Sequence, residues 1–291
     1  MHALAFYISY FFIYILSLFP LRIVYVFSDA LYVIGYYLIG YRKKVVFRNL
    51  QNSFPEKSKE ELVYIAKRFY KHLFDTFFET FVMLNLSKGE FRKRYTIINP
   101  ELLDELFKRK KSVSAVMAHY GNWEWITILP DYIKHKTIGI YHPLKNKYFD
   151  NFINTTRIRF GLHLTPMSSV LKATMMEERN ENLCILLFIS DQTPSNPHSN
   201  YWARFLNQDT LVFMGAEKIA KKFNHAVVYL KVEKVKRGYY ETEVVLIEEE
   251  ATNAKEYEIT NKHLQLLENQ IINKPEFWLW SHKRWKHKRN E

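Results

Sequence analysis

From residue 112 onward, short apolar runs alternate with stretches whose apolar positions fall at helical spacing. The runs at 112–118, 137–142, 183–189 and 226–232 predict strands, and Tyr148–Phe160, Ser168–Arg179 and Gly215–Phe223 between them predict helices. Alternation of this kind implies βαβ units, hence an α/β fold with a mixed, largely parallel sheet flanked by helices. Tyr239–Ile247 and Ala254–Ile272 then predict an added strand and a closing helix. Upstream, Leu62, Ile65, Phe69, Leu73, Phe77 and Phe81 mark a scaffolding helix, or a pair of helices, over 56–86. Its aromatic stripe is read as core rather than as a groove for a chain. At the amino terminus, residues 1–21 carry no Asp, Glu, Lys or Arg, and Ala3–Phe19 is just long enough to cross a hydrocarbon layer of about 30 Å. With no basic residues ahead of it and Pro20-Leu21-Arg22 behind it, this stretch predicts a membrane anchor rather than a cleaved signal. Ala30–Tyr41 is too short to span and predicts a core or interfacial helix. Arg42, Lys43, Lys44 and Arg48 follow it and favour the cytoplasmic side. The expected division is a 1–21 anchor, a 22–55 interfacial or core helix with its basic juxtamembrane segment, and a folded domain over 56–291 ending in a basic, aromatic segment.

Composition narrows the class. With 48% apolar and 16% aromatic residues in 291, the chain has ample material for a buried core, which excludes a disordered protein. A formal charge of +12 calls for an acidic partner: anionic headgroups, an acidic protein or nucleic acid. The apolar leader argues against nucleic acid, as does the lack of a Gly-rich phosphate loop or an RNA-binding aromatic signature. The densest basic run, Lys283–Arg289, is interleaved with Trp278, Trp280 and Trp285, a composition that beside the leader predicts rings and cations at headgroup depth. A single cysteine, Cys184, lies in an apolar run and reads as core in a reducing compartment. There is no Gly-x-Ser-x-Gly elbow, no His-Glu-x-x-His and no paired-cysteine site, so neither a serine hydrolase nor a zinc enzyme has its usual parts.

Chemistry concentrates in His119-Tyr120-Gly121-Asn122-Trp123-Glu124-Trp125, directly after the first predicted strand. Trp123–Tyr132 predicts a helix with Asn122 as its N-cap. In a continuous helix, residues five apart lie roughly 140° from one another and do not meet. A strand-to-helix turn lets them meet: Gly121 supplies permissive backbone, and Glu124 falls in the first turn, where the macrodipole favours an anion. Glu124 is then expected to accept a hydrogen bond from one ring nitrogen of His119, fixing the tautomer and leaving the other nitrogen basic. A His and a Glu satisfying each other at a surface turn is the ordinary alternative. His119, His142 and Asp191 all fall at or just beyond strand carboxyl ends, where open α/β sheets bind ligands.

The heptapeptide resembles the catalytic block of the bacterial lipid A late acyltransferases, whose His-x4-acid motif is shared with the wider glycerolipid acyltransferase superfamily. Three further blocks match in order: Tyr141-His142-Pro143-Leu144-Lys145-Asn146 with Asp150, Arg157, Arg159 and Gly161; Ser190-Asp191-Gln192 with Phe213-Met214-Gly215; and the segment from Pro275 to Lys286. The resemblance spans nearly the whole chain. Two departures stand out. His142 replaces the usual arginine, and Thr193-Pro194-Ser195-Asn196-Pro197 replaces a glycine-rich run; both bear on acceptor and acyl preference more than on the reaction.

The resemblance implies a glycerolipid acyltransferase-like fold and transfer of an acyl chain from acyl carrier protein to a hydroxyl of a lipid A precursor, at the bacterial inner membrane with the catalytic domain facing the cytoplasm. Acyl carrier protein, an anionic glycolipid acceptor and inner-membrane lipids are the implied partners, and the carrier thioester is the co-substrate with no cofactor. His119 would be the general base and Glu124 its orienter. A thioester is already activated, so no acyl-enzyme is needed, and the oxyanion would take backbone N–H groups beside the motif or an arginine of the second block. Arg157 and Arg159, two apart near the end of a predicted helix, cannot point the same way: one, Arg159 ahead of Arg157, would bind acceptor phosphate through the guanidinium fork while the other is structural. His142, Asn122 and Asp191 complete the expected substrate side, Asp191 contacting His119, an arginine or the acceptor, while Asn146 and Asp150 order the loop. The competing readings are the same chemistry on an amino-acid lipid, a mannosylated inositol lipid or a lysophospholipid; a membrane-tethered hydrolase; and a basic lipid-binding scaffold without catalysis.

Overall fold

The computed structural model describes residues 2–194 and 201–289. The segment Ser195-Asn196-Pro197, part of the second departure, lies outside the described residues. In chain order the elements are α1 (His2–Ser17), α2 (Leu21–Val33), α3 (Lys43–Ser53), α4 (Lys59–Val82), α5 (Lys88–Arg94), β1 (Tyr95–Ile97), α6 (Glu101–Lys108), β2 (Val113–Met117), β3 (Lys136–Tyr141), α7 (Lys147–Ile158), β4 (His163–Pro166), α8 (Val170–Arg179), β5 (Cys184–Ile189), β6 (Tyr201–Phe205), β7 (Gln208–Val212), α9 (Gly215–Phe223), β8 (Ala226–Lys236), β9 (Tyr239–Glu248) and α10 (Glu258–Asn273). Seven strands form one sheet in the order β1-β9-β8-β2-β5-β3-β4, and β6 and β7 form a separate hairpin. Every neighbouring pair in the large sheet is parallel except β8 with β9. This is the α/β architecture that the alternating pattern predicts.

The central strands are apolar on both faces because both faces are covered: Val113, Ala115 and Met117 join one core layer, Val116 the other. Cys184 is fully buried in this sheet, and burial pushes its thiol up to about 11, as suits plain core. The helix expected over 56–86 is α4, opened by a capping box in which Ser58 Oγ accepts from Glu61 N at 3.2 Å and Glu61 Oε2 accepts from Ser58 N at 2.7 Å.

The amino-terminal expectations shift. α1 stops at Ser17 after 16 residues, about 24 Å at ~1.5 Å per residue, which is short of a bilayer core. Among the described residues, the helix long and apolar enough to cross a membrane is Leu21–Ile39, in which α2 runs on into a wider-wound turn over Ile34–Ile39. It does not stand off from the domain. Leu21, Val24, Tyr25 and Ser28 are buried along one side of α2, while Asp29 pairs with Arg237 and Lys71. Ile23, Val26, Phe27, Val33, Leu38 and Ile39 point outward, uncovered. α1 lies beside α7, with Phe6 packed on Tyr148, Phe149 and Phe152.

The carboxyl-terminal tryptophans also differ from expectation. Trp278 and Trp280 are buried in the core, and Trp285 turns its ring N–H inward to Thr210 Oγ1 at 2.7 Å. They anchor the segment rather than present rings at headgroup depth; the cations Lys283, Lys286, Lys288 and Arg289 remain outside.

Candidate active site

β2 and β5 are parallel neighbours in register, Met117 beside Ile189, so His119 and Asp191, each two residues further on, leave the sheet together at its carboxyl edge. His119 Nδ1 lies 2.7 Å from Asp191 Oδ1. The other oxygen, Oδ2, accepts from Trp278 Nε1 at 2.8 Å, so the carboxylate is fully engaged within the core. Burial alone would raise the Asp191 carboxyl, but its electrostatic attraction to the His119 ring and the hydrogen bonds from His119 and Trp278 outweigh it and hold it below the usual carboxylate range. A carboxylate can only accept, so Nδ1 carries the ring proton and Nε2 keeps its lone pair. Gln192 Nε2 stands 3.1 Å from that nitrogen and donates to it. The Trp123 ring meets the imidazole edge-on at 5.0 Å.

The ring nitrogen that the sequence assigns to Glu124 is thus held by Asp191, one of the three contacts anticipated for that residue. Glu124 faces the other way. Its two oxygens take a bidentate fork from Arg157, Nε to Oε2 at 2.9 Å and Nη2 to Oε1 at 2.6 Å. Burial would raise this carboxyl too; the Arg157 charge and hydrogen bond, with His119 further off, bring it below the ordinary value. The expected helix after Asn122 is a 3-10 helix, Trp123–Asp131, whose Pro130 supplies no N–H for α-helical bonding.

Two other expectations are corrected. Arg159 does not line the cavity: its Nη1 donates to the Met83 and Leu86 carbonyls at 2.6 and 2.7 Å, closing the end of α4, and it stacks over Phe160. Arg157, two residues earlier, is the guanidinium in the cavity. Asn122 is fully buried, its Oδ1 accepting from Trp125 N at 3.3 Å as an N-cap and its Nδ2 donating to Glu79 Oε2 at 2.8 Å, so it is beyond a substrate's reach. His142 stands at the cavity's rim, its Nδ1 3.0 Å from the Pro143 carbonyl. Asn146 caps α7 through Tyr148 N, and Asp150 accepts from Leu144 N at 2.7 Å, so both order the loop between them.

These side chains open on a cavity of about 390 Å³. Its mouth carries His119, Trp123, Glu124, Arg157, His142 and Gln192; its inner wall is Met117, Ile126, Leu162, Leu164, Leu187 and Ile189. Gly139 lacks a side chain where one would press on Leu162 and Leu164 at 3.1 and 3.2 Å, and this keeps the inner recess open. The arrangement can take a proton from a weak nucleophile at Nε2, stabilise the resulting imidazolium through Asp191, and hold an apolar chain alongside. Among the described residues, no group of three or more His, Cys, Asp or Glu is placed to hold a metal ion.

The carboxyl-terminal segment closes the turn from behind: Leu279 N donates to the His119 carbonyl at 3.1 Å, and Gly121 N to the Phe277 carbonyl at 3.0 Å. Gln192 and Trp278 were not expected at the site. Gln192 carries a signal, since it adjoins Asp191 just past a strand end; Trp278, 87 residues beyond Asp191, carries none in spacing alone.

The family model described as bacterial lipid A biosynthesis acyltransferase matches residues 2–287 of this chain. No curated protein matches it.

Proposed function

The chain belongs to this family, so it is an acyltransferase acting in lipid A biosynthesis, and we propose that it moves a fatty acyl chain from an acyl carrier protein thioester to a hydroxyl of a lipid A precursor. The observation that carries the proposal is the His119–Asp191 pair at the mouth of an apolar recess. The acceptor hydroxyl approaches Nε2, displacing the Gln192 amide. As its oxygen attacks the thioester carbonyl, His119 takes its proton, and collapse of the tetrahedral intermediate expels the thiolate, which recovers that proton. General-base help of this kind is worth about 10²–10⁴ in rate. Asp191 orients the ring and stabilises the imidazolium. Glu124, kept ionised by Arg157, adds negative potential beside it, a role through charge rather than through a hydrogen bond. The inner wall takes the acyl chain, at about 0.8 kcal/mol for each methylene removed from water.

The family is membrane-associated. We place the outward face of α2 and its continuation, with α1, in the bilayer surface and the catalytic domain on the cytoplasmic side, with Arg42, Lys44 and Arg48 on anionic headgroups. Asp29, tied to Arg237 and Lys71, favours a helix lying against the domain over one spanning the bilayer, where a charge is costly.

The test is transfer by the purified full-length protein from acyl carrier protein or acyl-CoA to a lipid A precursor. Product should form from the carrier thioester and fall by at least about 10²-fold with His119→Ala. Hydrolysis without acceptor at the transfer rate would instead make the protein a thioesterase.

A further inference from the structure

Two buried side chains of α4 hold the turn that carries His119, and neither lines the cavity. Glu79 is fully buried with both oxygens taken. Oε1 accepts from Tyr25 Oη at 2.7 Å, and Oε2 accepts from Asn122 Nδ2 and Tyr240 Oη, each at 2.8 Å. Its own carbonyl accepts from Trp125 Nε1 at 3.2 Å. Two helical turns earlier on the same face, His72 Nε2 lies 3.2 Å from the Gly121 carbonyl. A carbonyl can only accept, so Nε2 bears the proton and Nδ1 is free to accept from Lys234 Nζ at 3.2 Å. Burial, and then the Lys234 charge, keep this ring neutral, as that tautomer requires. Lys234 is itself largely buried and reaches Asp75 at 3.4 Å; Asp75 accepts from Ser28 Oγ at 2.8 Å and from Arg237.

Both lines start on the inner face of α2, at Tyr25 and at Ser28, and end on adjacent residues of the catalytic turn. One fixes the Gly121 carbonyl and the other the Asn122 side chain. Asn122 caps the 3-10 helix whose first two residues are Trp123, against the His119 ring, and Glu124. Gly121 has φ +58°, so its peptide is held in a conformation that hydrogen bonds must define. We propose that His72 and Glu79 are positioning residues for the transfer reaction, locking the Gly121–Asn122 turn beside His119, and that α2 locks them through Tyr25 and Ser28. The proposal rests on His119 being the reacting base.

Substitutions at residue 72 separate positioning from packing. His72→Gln keeps an N–H for the Gly121 carbonyl, whereas His72→Phe suits the aromatic neighbourhood of Phe277, 5.0 Å away, and donates nothing. With a carrier-bound saturated acyl chain and a lipid A precursor, kcat of His72→Gln should stay within about threefold of the parent, while that of His72→Phe should fall at least about tenfold with KM little changed. A packing role predicts the opposite order, and Phe equal to or better than Gln would overturn the proposal. Tyr25→Phe, which removes a single hydroxyl, carries the test should His72→Phe not fold. It should lower kcat about 3–10-fold, and adding it to Glu79→Gln should cost little beyond Glu79→Gln alone. Unchanged kcat in folded Tyr25→Phe would remove α2 from the account. Turnover surviving His119→Ala would mean the base assignment has failed; an inactive His119→Ala beside fully active variants at 25 and 72 would sink this inference alone.

Discussion

Asp191 shows how far residue-level reading reaches. The sequence puts a carboxylate at the end of an apolar strand and a second one five residues after His119, and either can orient the ring. Spacing favours Glu124; the register of β2 on β5 favours Asp191, and register is a property of the sheet that local spacing does not contain. Arg157 and Arg159 were separable only in part for the same reason: two residues apart on a helix end, they must diverge, but which one reaches the cavity depends on where α7 packs. Asp191→Asn is a sharp test at this scale. If Asn places its oxygen on His119, its amide faces the Trp278 N–H, donor against donor. If it turns over, the imidazole must move its proton to Nε2 and loses its basic lone pair. Transfer should fall by about 10²–10⁴ with the fold intact, and activity within threefold of the parent would remove Asp191 as the orienter.

At the scale of elements, continuous apolar runs and clear helical periods were legible, and segments with neither were not. β2, β3, β5 and α9 fall within a residue or two of their expected bounds, because a continuous apolar run and a 3.6-residue period are strong local signals. β1, β4 and the β6–β7 hairpin, three to five residues each, mix polar and apolar positions and so show neither a continuous run nor a period. The apolar leader was legible as membrane-directed but not as a geometry. Hydropathy marks α1 and Leu21–Ile39 alike, and only packing on α4 reveals that α2 has an inner face with Tyr25 and Ser28 and an outer one with Val26 and Phe27, 66% and 48% exposed. Removing large apolar side chains from water is worth about 1.5–3 kcal/mol each. Val26→Ser with Phe27→Ser should therefore lower partitioning onto anionic vesicles about 10²-fold or more while leaving the thermal midpoint in detergent near that of the parent. Undiminished sedimentation with vesicles would place the membrane contact elsewhere.

Across the whole molecule, buried imidazoles tie stability to pH. Burial pushes His263 and His282 down to about 4 and lowers His72, His135 and His225 as well. Their folded values lie below the unfolded value of 6.5, so between about pH 6.5 and 4 the unfolded chain binds more protons. Stability is complete above that window and is lost as pH falls through it. For His263 alone the loss between pH 8 and pH 5 is about 2 kcal/mol. Unfolding followed at both pH values should show His263→Leu losing less stability than the parent on acidification, and equal losses would mean this imidazole is not kept neutral in the fold. The proposed acylation of a lipid A precursor through His119 is decided by mass spectrometry of lipid A and total polar lipids from cells lacking the protein and complemented with the parent or with His119→Ala. Lipid A should lack one acyl chain without the protein, regain it with the parent and not regain it with His119→Ala; intact lipid A with a missing chain on another lipid, or full restoration by His119→Ala, would overturn the proposed reaction.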